Sequence, residues 1–264
     1  FLQLFNIDPL SLRRIQAQPD SATPLGQKHA VVMPVYNEDT RRIMVGFEAC
    51  IRELMDSDNS AQFDFYMLSD TRDMAKTDAE LRAFTRLKKR LGGYSSQVFY
   101  RRREKNLHRK VGNLKEFCER WGANYESMIV LDADSVMTGE RMQDLARRIE
   151  QNPDTALVQT IPMPVRQNTF FGRFVQFAAH LYSPMLATGL SFWQTDSANY
   201  WGHNAIIRIA PFMQHCGLPT LEGRAPFGGD FLQRRGAARF SKTTRPAAQT
   251  RPGSPPSPRP TVRQ

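Results

Sequence analysis

The chain has 264 residues, 41% of them hydrophobic and 23% charged, with a formal net charge of +10. That length and apolar content suffice for one α/β domain with a substantial core and exclude a chain too polar to fold. A transmembrane helix needs about 18 or more uncharged apolar residues, and the nearest run, Phe170 to Trp193, is broken by Arg173, Gln176 and His180, so no span is predicted within the sequence. A start at Phe1 with no secretory leader is the expectation for a fragment. Cys50, Cys118 and Cys216 lie far apart with no metal or redox spacing, which predicts reduced structural thiols in a cytosolic setting.

The charge is unevenly placed. After Asp230 no acidic residue occurs, while Arg234, Arg235, Arg239, Lys242, Arg245, Arg251, Arg259 and Arg263 supply eight of the ten net positive charges. A non-catalytic nucleic-acid-binding protein driven by this tail is one reading of the composition, and the near balance of the preceding residues argues against it.

In chain order, residues 1–28 form a mixed polar lead-in with Pro9, Pro19 and Pro24. His29 to Met33 reads as a short buried strand stopped by Pro34 and followed by a polar turn at Asn37-Glu38. Asp39 or Thr40 caps a helix in which Ile43, Val45, Phe47, Cys50, Ile51 and Leu54 keep helical spacing. Phe63 to Asp70 is a second strand ending in a carboxylate, Asp78 to Leu91 a basic-faced helix closed by Gly92-Gly93, and Val98 to Tyr100 a third strand. A basic loop from Arg101 to Asn113 leads into a helix, Leu114 to Trp121. Met128 to Leu131 is a fourth strand, followed by a helix over about 140–151 and a strand at Ala156 to Thr160. This alternation is the pattern of a mostly parallel sheet flanked by helices on both faces. Phe170 to Trp193 is aromatic-rich and fits either an amphipathic helix against a membrane surface or a helix packed on the sheet. Asn199 to Arg208 reads as a polar, aromatic turn entering an apolar strand, and the Pro-rich, basic segment 230–264 as a disordered tail.

The acids fall at strand ends. Asn37-Glu38, Asp70 and the pair Asp132 and Asp134 each follow an apolar strand, and in a parallel sheet such ends share one edge. If the strand stays extended through Asp134, both carboxylates face one volume; if it turns, one carboxylate and the local backbone do. Either arrangement offers hard oxygen ligands to Mg²⁺ or Mn²⁺, and a basic stretch from Arg101 to Lys110 beside them suits a metal-bound diphosphate. Set against this, Asp70 also fits a helix cap, Arg101 to Arg103 a solvated face, and His203 a hydrogen-bonded structural histidine. Tyr200 and Trp201 fit either core or a platform on which a sugar ring stacks.

Together these motifs resemble the family 2 glycosyltransferases, inverting enzymes on a GT-A (Rossmann-like) fold. Pro34-Val35-Tyr36-Asn37-Glu38 resembles their nucleotide-binding loop, Asp70 the uracil-contacting acid, and Asp132-Ala133-Asp134 the metal-binding Asp-x-Asp. Lys110-Val111-Gly112-Asn113 is similar to a Lys-x-Gly-Asn segment of processive members, and Val158-Gln159-Thr160 to their Gln-Thr strand. Stretches such as RRREKNLHRKVGNL, LYSPMLATGLSFW and NYWGHNAIIR narrow the resemblance to the branch that builds osmoregulated periplasmic glucans.

The resemblance divides the chain into the lead-in 1–28, an incomplete catalytic domain 29–229 and the divergent tail 230–264. It implies UDP-glucose as donor, Mg²⁺ (or Mn²⁺) as cofactor, a growing β-glucan as acceptor and no nucleic-acid partner. Pro34, Tyr36, Asn37, Glu38, Asp70, Lys110, Asn113 and Asp132 would line the nucleotide-sugar site, with Asp132 and Asp134 on the metal. Gln159, Trp201, Gly202 and His203 would lie on the acceptor side. It also implies a parent protein at the cytoplasmic face of the bacterial inner membrane, held by flanking helices absent from this sequence. A cellulose- or hyaluronan-type synthase is the other enzyme reading. After Pro226-Phe227-Gly228-Gly229 the family pattern continues into a segment bearing the general base, whereas this sequence turns to Asp230-Phe231-Leu232 and then to Pro, Arg and Ser. Asp230, at a spacing that departs from the pattern, is the one candidate for that base, and the expectation is a chain that binds donor without turning it over.

Overall fold

The computed structural model describes residues 23–194, 200–216 and 262–263. Strand β1 (His29–Val35) lies between β2 (Phe63–Ser69) and β4 (Ser127–Val130) and runs parallel to both, with His29 opposite Phe63 and Ser127. β3 (Val98–Arg102) extends the parallel set beyond β2. β6 (Ala205–Arg208) then runs antiparallel between β4 and β5 (Leu157–Gln159). The two-residue β7 (Val262–Arg263) pairs parallel to β5, completing the order β3-β2-β1-β4-β6-β5-β7. The sheet is α/β and mostly parallel, as the alternation predicts, with one reversed strand inside it.

Pro34 does not stop β1. The β1–β4 pairing ends at Val32 opposite Val130, whereas Pro34 continues opposite Leu68 of β2. Val32 O accepts from Leu131 N on one side of β1, and Val35 O accepts from Asp70 N on the other. By that alternation the edge on which Pro34 lacks an N–H faces the β4 side, beyond the end of β4, where no ladder bond is lost.

Alternate strand residues feed two cores. Val31, Met33, Phe65, Met67 and Ile129 are buried with residues of α1 (Thr40–Met55), α2 (Met74–Leu91) and α4 (Gly139–Glu150). Ala30, Val32, Leu68, Met128 and Val130 are buried with residues of α3 (Arg109–Trp121) and α6 (Ile209–His215). The side-chain period of two thus places helices on both faces. Asp39 caps α1 by accepting from Arg42 N at 2.8 Å. Val45, expected on the buried side of that helix, is 65% exposed, because it lies two residues from Ile43 and so roughly 200° round the helix from it.

Two helices start earlier than their apolar spacing suggests. Asp73 caps α2, so it begins at Met74 rather than Asp78, and Gly92 closes it at φ 57°. α3 begins at Arg109 rather than Leu114, which puts Lys110 in its first turn.

α5 (Phe170–Gln194) turns Phe170, Phe171, Phe174, Phe177, Tyr182 and Leu186 to the exterior and buries Ala187 and Thr188. Among the described residues no helix is long and apolar enough to cross a membrane. The three cysteines are free, with Cys50 and Cys118 buried. Most of the 1–28 lead-in and of the 230–264 tail, Asp230 included, lies outside the described residues.

Candidate functional site: a cavity at the carboxyl edge of the sheet

The carboxyl ends of β1, β2 and β4 share one edge. Because β6 is reversed, the turn that precedes it is delivered there too: Ala205 sits opposite both Val130 and Gln159, and Asn204 N donates to Val130 O at 2.7 Å. Residues from sequence positions 34 to 204 therefore meet in one region.

After β1 the chain turns through Asn37, which is left-handed at φ 58°. Asn37 N donates to Thr71 Oγ1 at 3.0 Å, and its Oδ1 accepts from Arg72 N and Asp73 N at 3.3 and 3.4 Å. Lys76 Nζ donates to Asn37 O. The Asn37 side chain thus ties the turn after β1 to the turn after β2. Behind Thr71 stands fully buried Glu80, which accepts from Ser69 Oγ at 2.7 Å, Thr71 Oγ1 at 2.6 Å and Tyr100 OH at 3.1 Å. Three donors satisfy a carboxylate that would otherwise be costly to bury. Burial, chiefly, pushes the Tyr100 phenol up to about 12.

Asp70 is not a helix cap. Its carboxylate, 4% exposed, accepts from Arg103 Nε and Nη2, both at 2.6 Å, in a bidentate pair. The basic run is only in part a solvated face: Arg103 is 4% exposed and Arg101 half-buried, its Nη2 donating to Asn113 O and Oδ1, whereas Arg102 is exposed and donates from Nε to Thr71 O. Asn113 is itself buried, and its Nδ2 donates to Leu68 O at 2.9 Å. Asn113 therefore clamps α3 onto β2 and β3 as well as lining the cavity.

β4 ends at Val130 and the chain turns, with Ser135 N donating to Asp132 O at 3.0 Å. The extended alternative for the acidic pair does not hold, so Asp132 and Asp134 are presented by a turn, Asp132 half-buried and Asp134 exposed. Lys110 Nζ bridges Asp132 Oδ1 and Gly202 O. His203 Nε2 lies 3.9 Å from Asp132 Oδ2. Gly202 takes φ 100°, a conformation L side chains rarely adopt, and Gln159 Oε1 accepts from Trp201 N at 2.8 Å to hold the same turn. Gln159 Nε2, Tyr200 OH, His203 Nδ1 and Asn204 Oδ1 are buried without a hydrogen-bond partner among the described residues. Three of these atoms lie on the turn before β6 and one on β5, leaving unused hydrogen-bonding capacity behind the cavity.

The cavity has a volume of about 880 Å³, and Pro34, Tyr36, Glu38, Asp70, Lys110, Asn113, Asp132 and Asp134 all contribute to its lining. Asn37 supports it from behind, and Gln159, Trp201, Gly202 and His203 adjoin it across Lys110 and Asp132. Asn106 and Arg109, within the basic stretch expected here, also line the wall, while sequence reasoning missed Arg42, in the first turn of α1, and Arg72, since single basic residues carry no spacing signal. Burial, first of all, pushes the Glu38 carboxyl above its ordinary value; backbone N–H groups of Tyr36 and Glu38 oppose this, and Glu80 and Asp132 add to it.

No group of three His, Cys, Asp or Glu side chains able to hold a metal occurs among the described residues. Asp132 and Asp134 offer a two-carboxylate set, and Mg²⁺ commonly takes one or two carboxylates and fills its shell from water and substrate phosphates. The donor set fits an ion that is shared with a bound diphosphate.

Residues 30–216 match the family described as Glycosyl transferase family 2. Proteins named glucans biosynthesis glucosyltransferase H are similar to the chain: that of Vibrio cholerae O395 is 44% identical over 214 residues, covering 81% of this chain and 30% of its own. The protein of that name from Xanthomonas campestris pv. campestris B100 is 43% identical over 221 residues, covering 83% of this chain and 34% of its own. The chain thus spans about a third of the length of these curated relatives. Among solved structures, S. aureus TarS 1–349 in complex with UDP-GlcNAc aligns with a TM-score of 0.44 at 14% identity, covering 80% of this chain and 53% of that one. With the match spanning β1 to α6, and so every strand end that forms the cavity, the chain belongs to glycosyl transferase family 2.

Proposed function

We propose that this domain binds UDP-glucose at the carboxyl edge of its sheet, and that the protein it belongs to transfers the glucose, with inversion, onto a growing β-glucan. The observation that carries the reading is one cavity in which two carboxylates at Asp132 and Asp134 stand beside Lys110, with a second acidic centre at Asp70. Acid beside base in one cleft is what a metal-bound diphosphate requires, since cation and ammonium together neutralise it. The volume is within the range of small-molecule sites. The glucose and glucan parts of the proposal are supported by the names of the relatives above.

In this reading Pro34, Tyr36, Asn37, Glu38 and Asp70 frame the nucleoside, Lys110 meets the diphosphate, and Asn113 holds α3 in register. Asp132 and Asp134 would hold Mg²⁺ or Mn²⁺, which supplies charge neutralisation for the leaving diphosphate. Gln159, Trp201, Gly202 and His203 face the acceptor, with Trp201 partly exposed beside the Lys110–Gly202 contact. The parent protein works at the cytoplasmic face of the inner membrane. Inverting transfer needs a base for the acceptor hydroxyl, and we infer that a chain departing from the family pattern after Gly229 binds donor but does not turn it over.

Isothermal titration with UDP tests the site. Binding is expected to need Mg²⁺ or Mn²⁺ and to fall at least about tenfold, or about 1.4 kcal/mol, in Asp132→Ala plus Asp134→Ala; metal-independent binding unchanged in that variant would sink the assignment. UDP release with a β-glucan acceptor is expected to be absent, and measurable release would refute the inference about the base. Competition with UDP-N-acetylglucosamine separates a glucosyl donor site from a hyaluronan-type one.

A further inference from the structure

We propose that Arg103 is a positioning residue that couples the nucleoside end of the cavity, at Asp70, to the diphosphate end, at Lys110; this rests on the donor-site reading above. The guanidinium is 4% exposed and uses all three of its nitrogens. Nε and Nη2 hold the two oxygens of Asp70, Nη1 donates to Leu107 O at 3.1 Å, and Nη2 also donates to Arg109 O at 3.0 Å and to Asn106 Oδ1 at 3.3 Å. The same side chain thus grips an acid at the end of β2 and the backbone immediately before Lys110.

That backbone needs gripping. His108 and Arg109 are consecutive non-glycine residues in the left-handed region, at φ 56° and 47°, and His108 makes no side-chain capping bond to α3. Such conformations persist only where the surroundings over-determine them. Here the determinants are the two carbonyl bonds from Arg103 and the close seating of Leu107 O over Gly112, where a Cβ would meet it at 2.0 Å. Lys110 follows directly, with its ammonium on Asp132 and Gly202 O. A nucleobase N–H that bonds Asp70 draws on the carboxylate that orients Arg103, so occupation of one end is felt at the other through a single planar group. Lysine cannot replace it, because one ammonium cannot span a bidentate carboxylate and two carbonyls.

A double-mutant cycle on UDP affinity with Mg²⁺ reads the coupling. Lys110→Met and Arg103→Lys are each expected to weaken binding about tenfold, and the two together by little more than either alone. Additive losses would overturn the inference, because Arg103 would then not act through Lys110. No loss in Lys110→Met alone would instead overturn the donor-site reading. A measurement on the unaltered chain covers the case in which Arg103→Lys does not fold: hydrogen exchange with saturating uridine, which has no phosphate to touch Lys110. Slowed exchange at residues 107–111 supports the coupling, and slowed exchange confined to residues near Asp70 overturns it. Failure of both uridine and UDP to slow exchange anywhere would count against the donor site itself.

Discussion

At position 112 only glycine fits. A Cβ there would lie 2.0 Å from Leu107 O and 2.9 Å from His108 Cβ, and a backbone carbonyl cannot swing aside as a flexible side chain does. Gly112→Ala is therefore expected to lift the 107–108 turn off α3 and draw Lys110 away from Asp132. We expect a loss of about 1–3 kcal/mol in urea unfolding and about tenfold weaker UDP binding by titration. Wild-type affinity in the variant would show that the turn does not set Lys110. The Lys-x-Gly-Asn segment was legible through its resemblance to processive glycosyltransferases, and the structure gives each member a physical task. Lys110 carries the charge, Gly112 makes room for the turn, and Asn113 bonds Leu68 O and Arg101. Arg103 was not legible, since three arginines in a row read as surface. Its burial is decided by Asp70, 33 residues earlier, and no local pattern carries that.

Elements were legible where an apolar face runs from their first turn and misplaced where the first turn is exposed. α4 was placed from its apolar face at Met142, Leu145, Ala146 and Ile149, whereas α2 and α3 begin before their first buried turn. The junction of the lead-in with the sheet shows how one side chain fixes an element. Glu150, the last residue of α4, accepts from Gly26 N at 3.1 Å, Gln27 N at 2.9 Å and His29 Nε2 at 3.0 Å, and His29 Nδ1 bonds buried Ser127 Oγ at 2.7 Å. Burial alone would raise the Glu150 carboxyl, but the bonds from His29, Gly26 and Gln27 together hold it below the ordinary 4.5. A depressed folded-state value means the contribution to stability is full above the unfolded value and is lost as pH falls through the folded one. Glu150→Gln is expected to lower stability at neutral pH by about 1 kcal/mol, allowing for partial exposure. In urea titrations across the acid range the two proteins should converge once pH lies below both values. A constant gap down to the lowest pH would show that the carboxylate's charge contributes nothing.

For the whole molecule, the excess charge and the site lie in different parts of the sequence. The convergence of strand ends followed from the α/β alternation, but the reversal of β6 did not, because a short apolar strand such as Ala205–Arg208 reads the same in either direction. That reversal is what brings Gly202 and His203 to the cavity instead of leaving them on the far edge. The basic tail lies elsewhere in the chain: the acids and Lys110 that define the cavity all precede residue 135, while eight of the ten net positive charges fall at or after Arg234. A chain shortened after Phe240 still keeps three of those eight charges, Arg234, Arg235 and Arg239, and loses β7, which among the described residues pairs with the edge of β5. Its affinity for UDP with Mg²⁺ is expected to stay within about twofold of the full chain, a change of less than about 0.5 kcal/mol. Any retention on a polyanion such as heparin should weaken with the lost charges and fall steeply with added salt. If UDP affinity instead collapsed with the tail while the shortened chain kept its fold, the phosphate-binding charge would have to come from residues 241–264, and the role given to Lys110 would fail.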